Sequence, residues 1–284
     1  MPVSPSSSAQ AAREAVARRL RGLRKEAGLT ITELARRCGW HYSKTSRIEN
    51  ALTGPSATDI RRWCTAVQAD DQAQDLIVQS LNAESMYREW RDQIRSGLKH
   101  LQDGLVGFYQ QTEQFRVYSS TVVPGLLQTE GYAAAVLTIA AGFHDRPTDD
   151  IAEAARARMD RSRVVHEPGH RFVFLLEETV LRYRIGDADA MAAQLGYLLT
   201  VGALPAVSLG IIPMEARERF QWPEETFHIY DDTLVSVELV SASVNVTQPS
   251  EIALYGKTFD RLRGMAVYGA DARALILRAI EALH

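Results

Sequence analysis

Cysteine is nearly absent: Cys38 and Cys64 are the two in 284 residues. That is too few for a disulfide scaffold or a cysteine-built metal site, and it suits a reducing compartment. Both fall on apolar helix faces, where a thiol behaves as a small hydrophobe. Long apolar runs are missing too. No stretch reaches the ~18 residues of a membrane helix, so no membrane partner is expected. Met1–Gln10 is rich in Ser and Pro and lacks an apolar stretch, so no secretory signal is expected and the segment reads as a short disordered arm. Catalytic punctuation is equally sparse. The chain has no HExxH, no GxSxG and no glycine loop that cradles phosphates. Among seven histidines, His166 and His170 are close, but Pro168-Gly169 between them forbids the helix that would aim both at one metal. Glu177 and Glu178 adjoin at a strand end and point apart rather than pairing as acid and base. No internal repeat is visible. The expectation is a protein that is not an enzyme and has no cofactor or metal.

What is present suits a folded chain of two domains, with 46% hydrophobic and 24% charged residues. The net charge of −3 hides an asymmetry. Residues 1–69 hold twelve Lys/Arg against five Asp/Glu, a surplus of +7 that leaves −10 for the rest. A basic head on an acidic body fits a polyanion bound by the head alone.

The spacing predicts five short helices over 13–80, after an arm at 1–12. Val16, Leu20 and Leu23 recur at helical steps, and Gly28 stops that helix. Thr30-Ile31-Thr32-Glu33 is a capping box opening a second helix that ends at Gly39. A third runs from His41 or Tyr42 to about Asn50. Ser56 or Thr58 caps a fourth with Ile60, Trp63, Cys64 and Val67 inward, and Asp70-Asp71 opens a fifth. Met86, Trp90, Ile94, Leu98, Leu101 and Leu105 predict one or two helices over 80–115. Beyond Val123-Pro124-Gly125, helices are expected over 129–141, 149–165, 190–201 and 251–283. Strands are expected at 171–176 and 207–212, with a hairpin of 227–230 and 234–240. The fold class is mainly α with a small α+β C-terminal part: a five-helix head (13–80), then a larger helical domain with a small sheet of three to five strands (81–284).

Two helices joined by a tight glycine turn make a helix-turn-helix, whose later helix lies in the major groove of DNA. The candidate recognition segment is 42–50. Thr45 and Ile48 face the core, while Tyr42, Ser43 and Arg47 share the outward face. Arg47 suits bidentate contact with guanine. Lys44, Ser46 and Asn50 are placed for phosphate oxygens, as are the amides beside Thr30 and Thr32.

Leu20-x-x-Leu23-Arg24-x-x-x-Gly28-Leu29-Thr30, Glu33-Leu34-Ala35, Gly39, Ser46-Arg47-Ile48-Glu49-Asn50 and Pro55-Ser56 together resemble the helix-turn-helix domain of the phage-repressor-like (Xre) family over residues 15–70. The resemblance implies a brace between Arg24 and Glu49. One departure is Ile31, where many members have a glutamine; its side chain cannot bond a phosphate. Further on, Val123-Pro124-Gly125-Leu126-Leu127-Gln128-Thr129-x-x-Tyr132-Ala133 resembles the hallmark of a domain that follows this head in actinobacterial regulators. Arg158-x-x-Arg161, Glu177-Glu178-x-x-Leu181-Arg182, Gln194-Leu195, Ile212-Pro213 and Val237-Glu238 fit the same resemblance; Ser162 departs from the glutamine common there. That resemblance implies a small protein partner.

The physical reading of Val123–Thr129 is a rigid turn between helices. The Arg156/Arg158/Arg161/Arg163 run reads as a solvated or salt-bridged face, with anion binding as the alternative. Trp90, Tyr109, Phe220 and Trp222 read as core packing, with a pocket as the alternative. Gln128, Arg158, Arg161 and Trp222 are the candidate ligand or partner region. The expected function is that of a cytoplasmic, nucleoid-associated transcription regulator. It binds a palindrome in double-stranded DNA as a homodimer, under control of a small-molecule effector or a protein partner. The alternative is an antitoxin-like or adaptor protein controlled by a small partner protein.

Overall fold

The computed structural model describes residues 5–89, 105–144, 148–215, 218–240 and 242–283. They divide into two compact units, one of residues up to Arg88 with Ala242–Val246, the other of Glu89–Ser241 with Thr247 onward.

Five helices among the described residues build the first unit: α1 (Pro5–Glu26), α2 (Ile31–Cys38), α3 (Tyr42–Glu49), α4 (Ala57–Ala66) and α5 (Ala73–Met86); a short strand β1 (Tyr87–Glu89) follows. Thr30 and Glu33 close a capping box at α2, and Ser56 with Asp59 does the same at α4. Each box satisfies two amides that a helix start leaves orphaned. Val16, Leu20, Leu23, Leu34, Ile48, Ile60, Trp63 and Leu76 join in one apolar cluster. The Trp63 indole N–H donates to the Leu20 carbonyl at 3.1 Å, so the largest ring in this core brings in no unsatisfied donor.

The second unit contains α6 (Val106–Gln111), α7 (Glu130–Phe143), α8 (Ile151–Ser162), α9 (Glu178–Arg182), α10 (Ala188–Val201), α11 (Pro249–Arg263) and α12 (Gly269–Glu281). Its strands are β2 (Gln114–Ser119), β3 (Arg171–Glu177), β4 (Val207–Ile212), β5 (Phe227–Tyr230) and β6 (Leu234–Glu238), in the order β6-β5-β2-β3-β4. The run β2-β3-β4 is parallel, with Phe115 beside Phe172 and Phe174 beside Leu209. The β5–β6 hairpin adds antiparallel to β2. Phe115, Val117, Phe172, Phe174 and Leu176 pack with Leu195 and Leu198 of α10 and Leu275 and Ile276 of α12. On the opposite face Phe227 meets Tyr118 and, from α11, Phe259 at 6.4 Å between centroids. A strand covered on both faces carries a continuous apolar run rather than an alternation, which is why Phe172–Leu176 reads as it does. Small residues, Ala133 and Ala141 against Ala154 and Ala155, let α7 and α8 pack closely.

The mainly α class with a small sheet matches the expectation; three details differ. First, α1 begins at Pro5, so much of the expected arm 1–12 is helical. Proline at the first helical position sacrifices no bond, and the Ser/Ala/Gln run carries the helix without an apolar stripe to announce it. Second, the helical reading of 80–115 fails at β1 and at its end. β2 alternates Phe115 and Val117 inward with Gln114 and Arg116 half-buried, and no Gly or Pro marks the change of period. Trp90, Ile94, Leu98 and Leu101 lie outside the described residues. Third, Ala242–Val246 is a further strand, β7, with Ala242, Val244 and Val246 buried. It packs on α1 and α5, and so belongs to the first unit although the chain reaches it last.

Gly39 ends α2 at φ +69°, the left-handed conformation. A Cβ built there meets nothing within 4 Å, so Gly39→Ala costs backbone strain alone. The expected loss is about 1–2 kcal/mol, read as a lower urea midpoint of the first unit with an unchanged m-value.

Candidate nucleic-acid interface

The segment α2–turn–α3 is set by three devices. The Thr30 cap fixes where α2 starts, and Gly39 fixes where it stops. His41 then caps α3, its Nδ1 accepting from the Ser43 amide at 3.3 Å. From below, Thr45 and Ile48 anchor α3 in the core at 0% and 1% exposure.

Glu49, the last residue of α3, is almost fully buried and receives two N–H groups of Arg24: Nε to Oε1 at 2.5 Å and Nη2 to Oε2 at 3.1 Å. The third arm of Arg24, Nη1, donates to the Leu29 carbonyl at 2.6 Å, which ties the same guanidinium to the loop before α2. Arg21 adds to the cluster from the next turn of α1. Its Nη2 donates to the Glu49 carbonyl at 2.7 Å and to Asn50 Oδ1 at 2.9 Å. Lys44 gives a second tie. Its Nζ donates to Asp59 Oδ1 at 2.6 Å and lies 4.6 Å from the centre of the Trp40 ring. Burial disfavours the Asp59 carboxylate, but bonds from Lys44 and Ser56 outweigh it and hold its pKa below the usual value. The Glu33 carboxyl is held low by the Thr30 backbone N–H and hydroxyl.

Against this frame the expected DNA-facing residues differ in freedom. Tyr42 is 52% exposed. Arg47 is exposed, and its guanidinium makes no ion pair or hydrogen bond among the described residues. Ser43 is exposed with its hydroxyl 2.9 Å from His41 Nδ1. Lys44 is committed to Asp59. Ser46 is half-buried, and Asn50 Nδ2 donates to its carbonyl at 2.9 Å. Thr30 is occupied by its cap, while Thr32 is exposed on the first turn of α2.

The candidate residues of the second unit do not come together as one group. Gln128 is buried: Nε2 donates to the Val123 carbonyl at 2.7 Å, and Oε1 accepts from Arg158 Nη1 at 2.7 Å. The Val123–Thr129 turn is stitched further by Gln194, which donates to the Leu127 carbonyl and accepts from the Thr129 amide. Tyr132 Oη accepts from the Val123 amide. Arg161 is buried beside Tyr109, whereas Trp222 and Phe220 are exposed at 63% and 54%. The aromatic core reading thus fits Tyr109 and misses those two, because Phe220 and Trp222 belong to a loop outside the sheet and helices. Glu177 ends β3 and Glu178 opens α9, and the two diverge: the first binds Arg219 and Tyr118, the second Arg182 and the Met214 amide.

A helix-turn-helix domain model matches residues 15–76, and the model described as "Domain of unknown function (DUF5753)" matches residues 102–278. The chain belongs to the DUF5753 family. Among solved structures it is similar to TrmBL2, an archaeal chromatin protein, at 12% identity and a TM-score of 0.28 over 78% of this chain and 71% of that one. A likeness that distant carries no argument. No curated protein matches the chain. The DUF5753 match covers the expected turn motif and both inward arginines of α8; the helix-turn-helix match covers Arg24, Glu49 and all of α3.

Sequence reasoning missed the Lys44–Asp59 tie and the part played by Arg21. A spacing of fifteen residues across a loop gives no local signal for the first; Arg21, three before Arg24, shares its helix face and was in principle findable. The two cysteines of this DUF5753 protein are buried, and burial pushes the Cys38 thiol up to about 11 and the Cys64 thiol up as well. Both are expected to resist a thiol reagent at pH 8 until urea unfolds the chain; rapid labelling of native protein would contradict it.

Removing one partner of a buried pair strands the other charge. Arg24→Met or Glu49→Leu is therefore expected to cost about 3–5 kcal/mol, and the double variant less than the sum. Arg21→Ala, whose side chain is 38% exposed, should cost about 1 kcal/mol. Urea unfolding of the three variants and the double checks the ranking.

Proposed function

We propose that this protein is a sequence-specific, DNA-binding transcription regulator that reads an operator through α3. The observation that carries the reading is the contrast across that helix. One side is locked by Thr45, Ile48, Glu49 and Lys44, and the other presents Tyr42 and the uncommitted Arg47 to solvent. A fixed helix with an unspent forked cation is what bidentate contact with guanine requires. Exposed Arg36, Arg61 and Arg62, with guanidinium groups that likewise make no bond among the described residues, supply positive charge for the phosphate backbone.

We read the rest as follows. The protein acts as a homodimer on a palindromic site, because one such head spans only a half-site. The second unit answers to a small molecule or a protein partner and sets the occupancy of the operator. The protein is a binding protein rather than an enzyme, and it works in the cytoplasm on the nucleoid; no helix among the described residues is long and apolar enough to cross a membrane.

Genome-wide footprinting supplies the operator, and fluorescence anisotropy then measures affinity against salt. Log affinity should fall linearly with log salt concentration. Arg47→Ala is expected to weaken specific binding by about 1–3 kcal/mol and to relax preference at one base pair of each half-site. Lys44→Ala should weaken binding with a milder loss of fold stability, since it frees α3 from α4. Unchanged affinity in both variants, or no enriched palindrome, would sink the reading.

A further inference from the structure

The first unit is not built from one stretch of chain. Its helices come from residues up to Arg88, but β7 comes from Ala242–Val246. The strand is built in rather than laid on. Ala242, Val244 and Val246 are 0%, 0% and 1% exposed, and Ser243 and Asn245 between them are half-buried. That alternation gives one apolar face, seated on α1 and α5. It is also a modest face. Three small side chains separated by polar ones can leave their seat without exposing a large apolar patch.

The seat matters because of what α1 and α5 hold. Leu20 and Leu23 of α1 and Leu76 and Ile77 of α5 share one apolar cluster with Ile48 of α3. Arg24 of α1 clamps Glu49, and Arg21 binds the Glu49 carbonyl and Asn50. Whatever orders α1 therefore orders the end of the recognition helix. At both ends, β7 is in turn held by chain of the second unit. Residues 239–241 join it to β6, and Thr247 and Gln248 join it to α11. Connectors of two or three residues have little slack. Helix α11 is itself fixed in the second unit: Phe259 meets Phe227, and Tyr255 Oη donates to Glu225 Oε1 at 2.9 Å. A displacement of β6 or α11 is thus passed to β7 and not absorbed on the way.

We propose that β7 is a regulatory strap: its seating on α1 and α5, set through both tethers by the state of the second unit, controls the affinity of α3 for DNA. Coupling between two sites requires an element with two arrangements that both sites bias. Seated, β7 keeps α1 ordered and the Arg24–Glu49 clamp closed. Withdrawn, it loosens α1 and lets α3 turn. The proposal deepens the reading of the protein as a regulator and rests on it for the DNA consequence; the seating itself is measured without DNA.

Hydrogen exchange of the full chain reads the seating, and fluorescence anisotropy with the operator reads the consequence. Val244→Ala removes two methyl groups from the seat. Amides of α1 and α5 should then exchange about tenfold faster or more, with β3 and β4 unchanged, and operator affinity should fall at least about fivefold. Phe259→Leu, at a buried position of α11, tests the transmission. It should speed α1 exchange and weaken operator binding in the parent chain. It should do neither in a chain with about eight Gly/Ser residues inserted between Val240 and Ser241 and again between Thr247 and Gln248, where both tethers are slack. Unchanged exchange in α1 and α5 of Val244→Ala overturns the strap. So does a Phe259→Leu effect that is absent from the parent, or equal with and without the insertions. Parental operator affinity in Val244→Ala refutes the strap and leaves the DNA reading standing. Absence of any operator binding, with the exchange responses as expected, refutes the DNA reading and leaves β7 as the link that couples the units.

Discussion

Glu49 closes the recognition helix with a carboxylate that is 2% exposed, and a bare charge in that position would unfold the domain rather than stabilise it. Arg24 makes the position tenable. Its fork supplies two of the bonds the carboxylate needs, and its third arm reaches the Leu29 carbonyl. One guanidinium therefore fixes α1, the entrance to α2 and the end of α3 at once. The apolar cluster around Trp63 supplies the driving force for this unit, but an apolar contact is non-directional. The ion pair is what sets the rotation of α3, and hence which side chains face outward.

The same logic runs through the second unit with a different outcome. The Val123–Thr129 turn is buried backbone, and buried backbone needs partners. Gln128, Tyr132 and Gln194 provide them, each from a different element. Glu177 is likewise satisfied by Arg219 and Tyr118. Arg116 and Arg161 differ, each keeping a buried Nε without a hydrogen-bond partner among the described residues.

Much of the first unit was legible because its signals are local. A capping box spans four residues, and a helical stripe repeats every three or four. Thr30 with Glu33, Ser56 and Gly39 therefore marked helix ends within a residue or two. β3 and β4 were legible for a related reason, as apolar runs too short for helices. β2 was not, since an alternation of Phe115 and Val117 follows a stretch of helical spacing with no breaker between. β7 was not, because five residues of Ala, Ser, Val and Asn resemble a loop until α1 and α5 cover them. Residues such as Arg156 and Arg158 are alike in sequence, two apart on one helix, and the periodicity of that helix did not say which face would be covered.

By itself, then, the sequence determined the helices of the head, the glycine turn, the uneven charge and the absence of catalytic or metal-binding spacings. These follow from backbone propensity, capping and composition, which act within a few residues. The tertiary structure decided what distance along the chain conceals. It committed Lys44 to Asp59 and left Arg47 exposed, sent a strand from residues 242–246 to the first unit, and turned Arg158 and Arg161 inward while leaving Arg156 and Arg163 in water. Each of these depends on which surfaces meet across the fold, and charge and burial acquire their energies only once that meeting has removed the water.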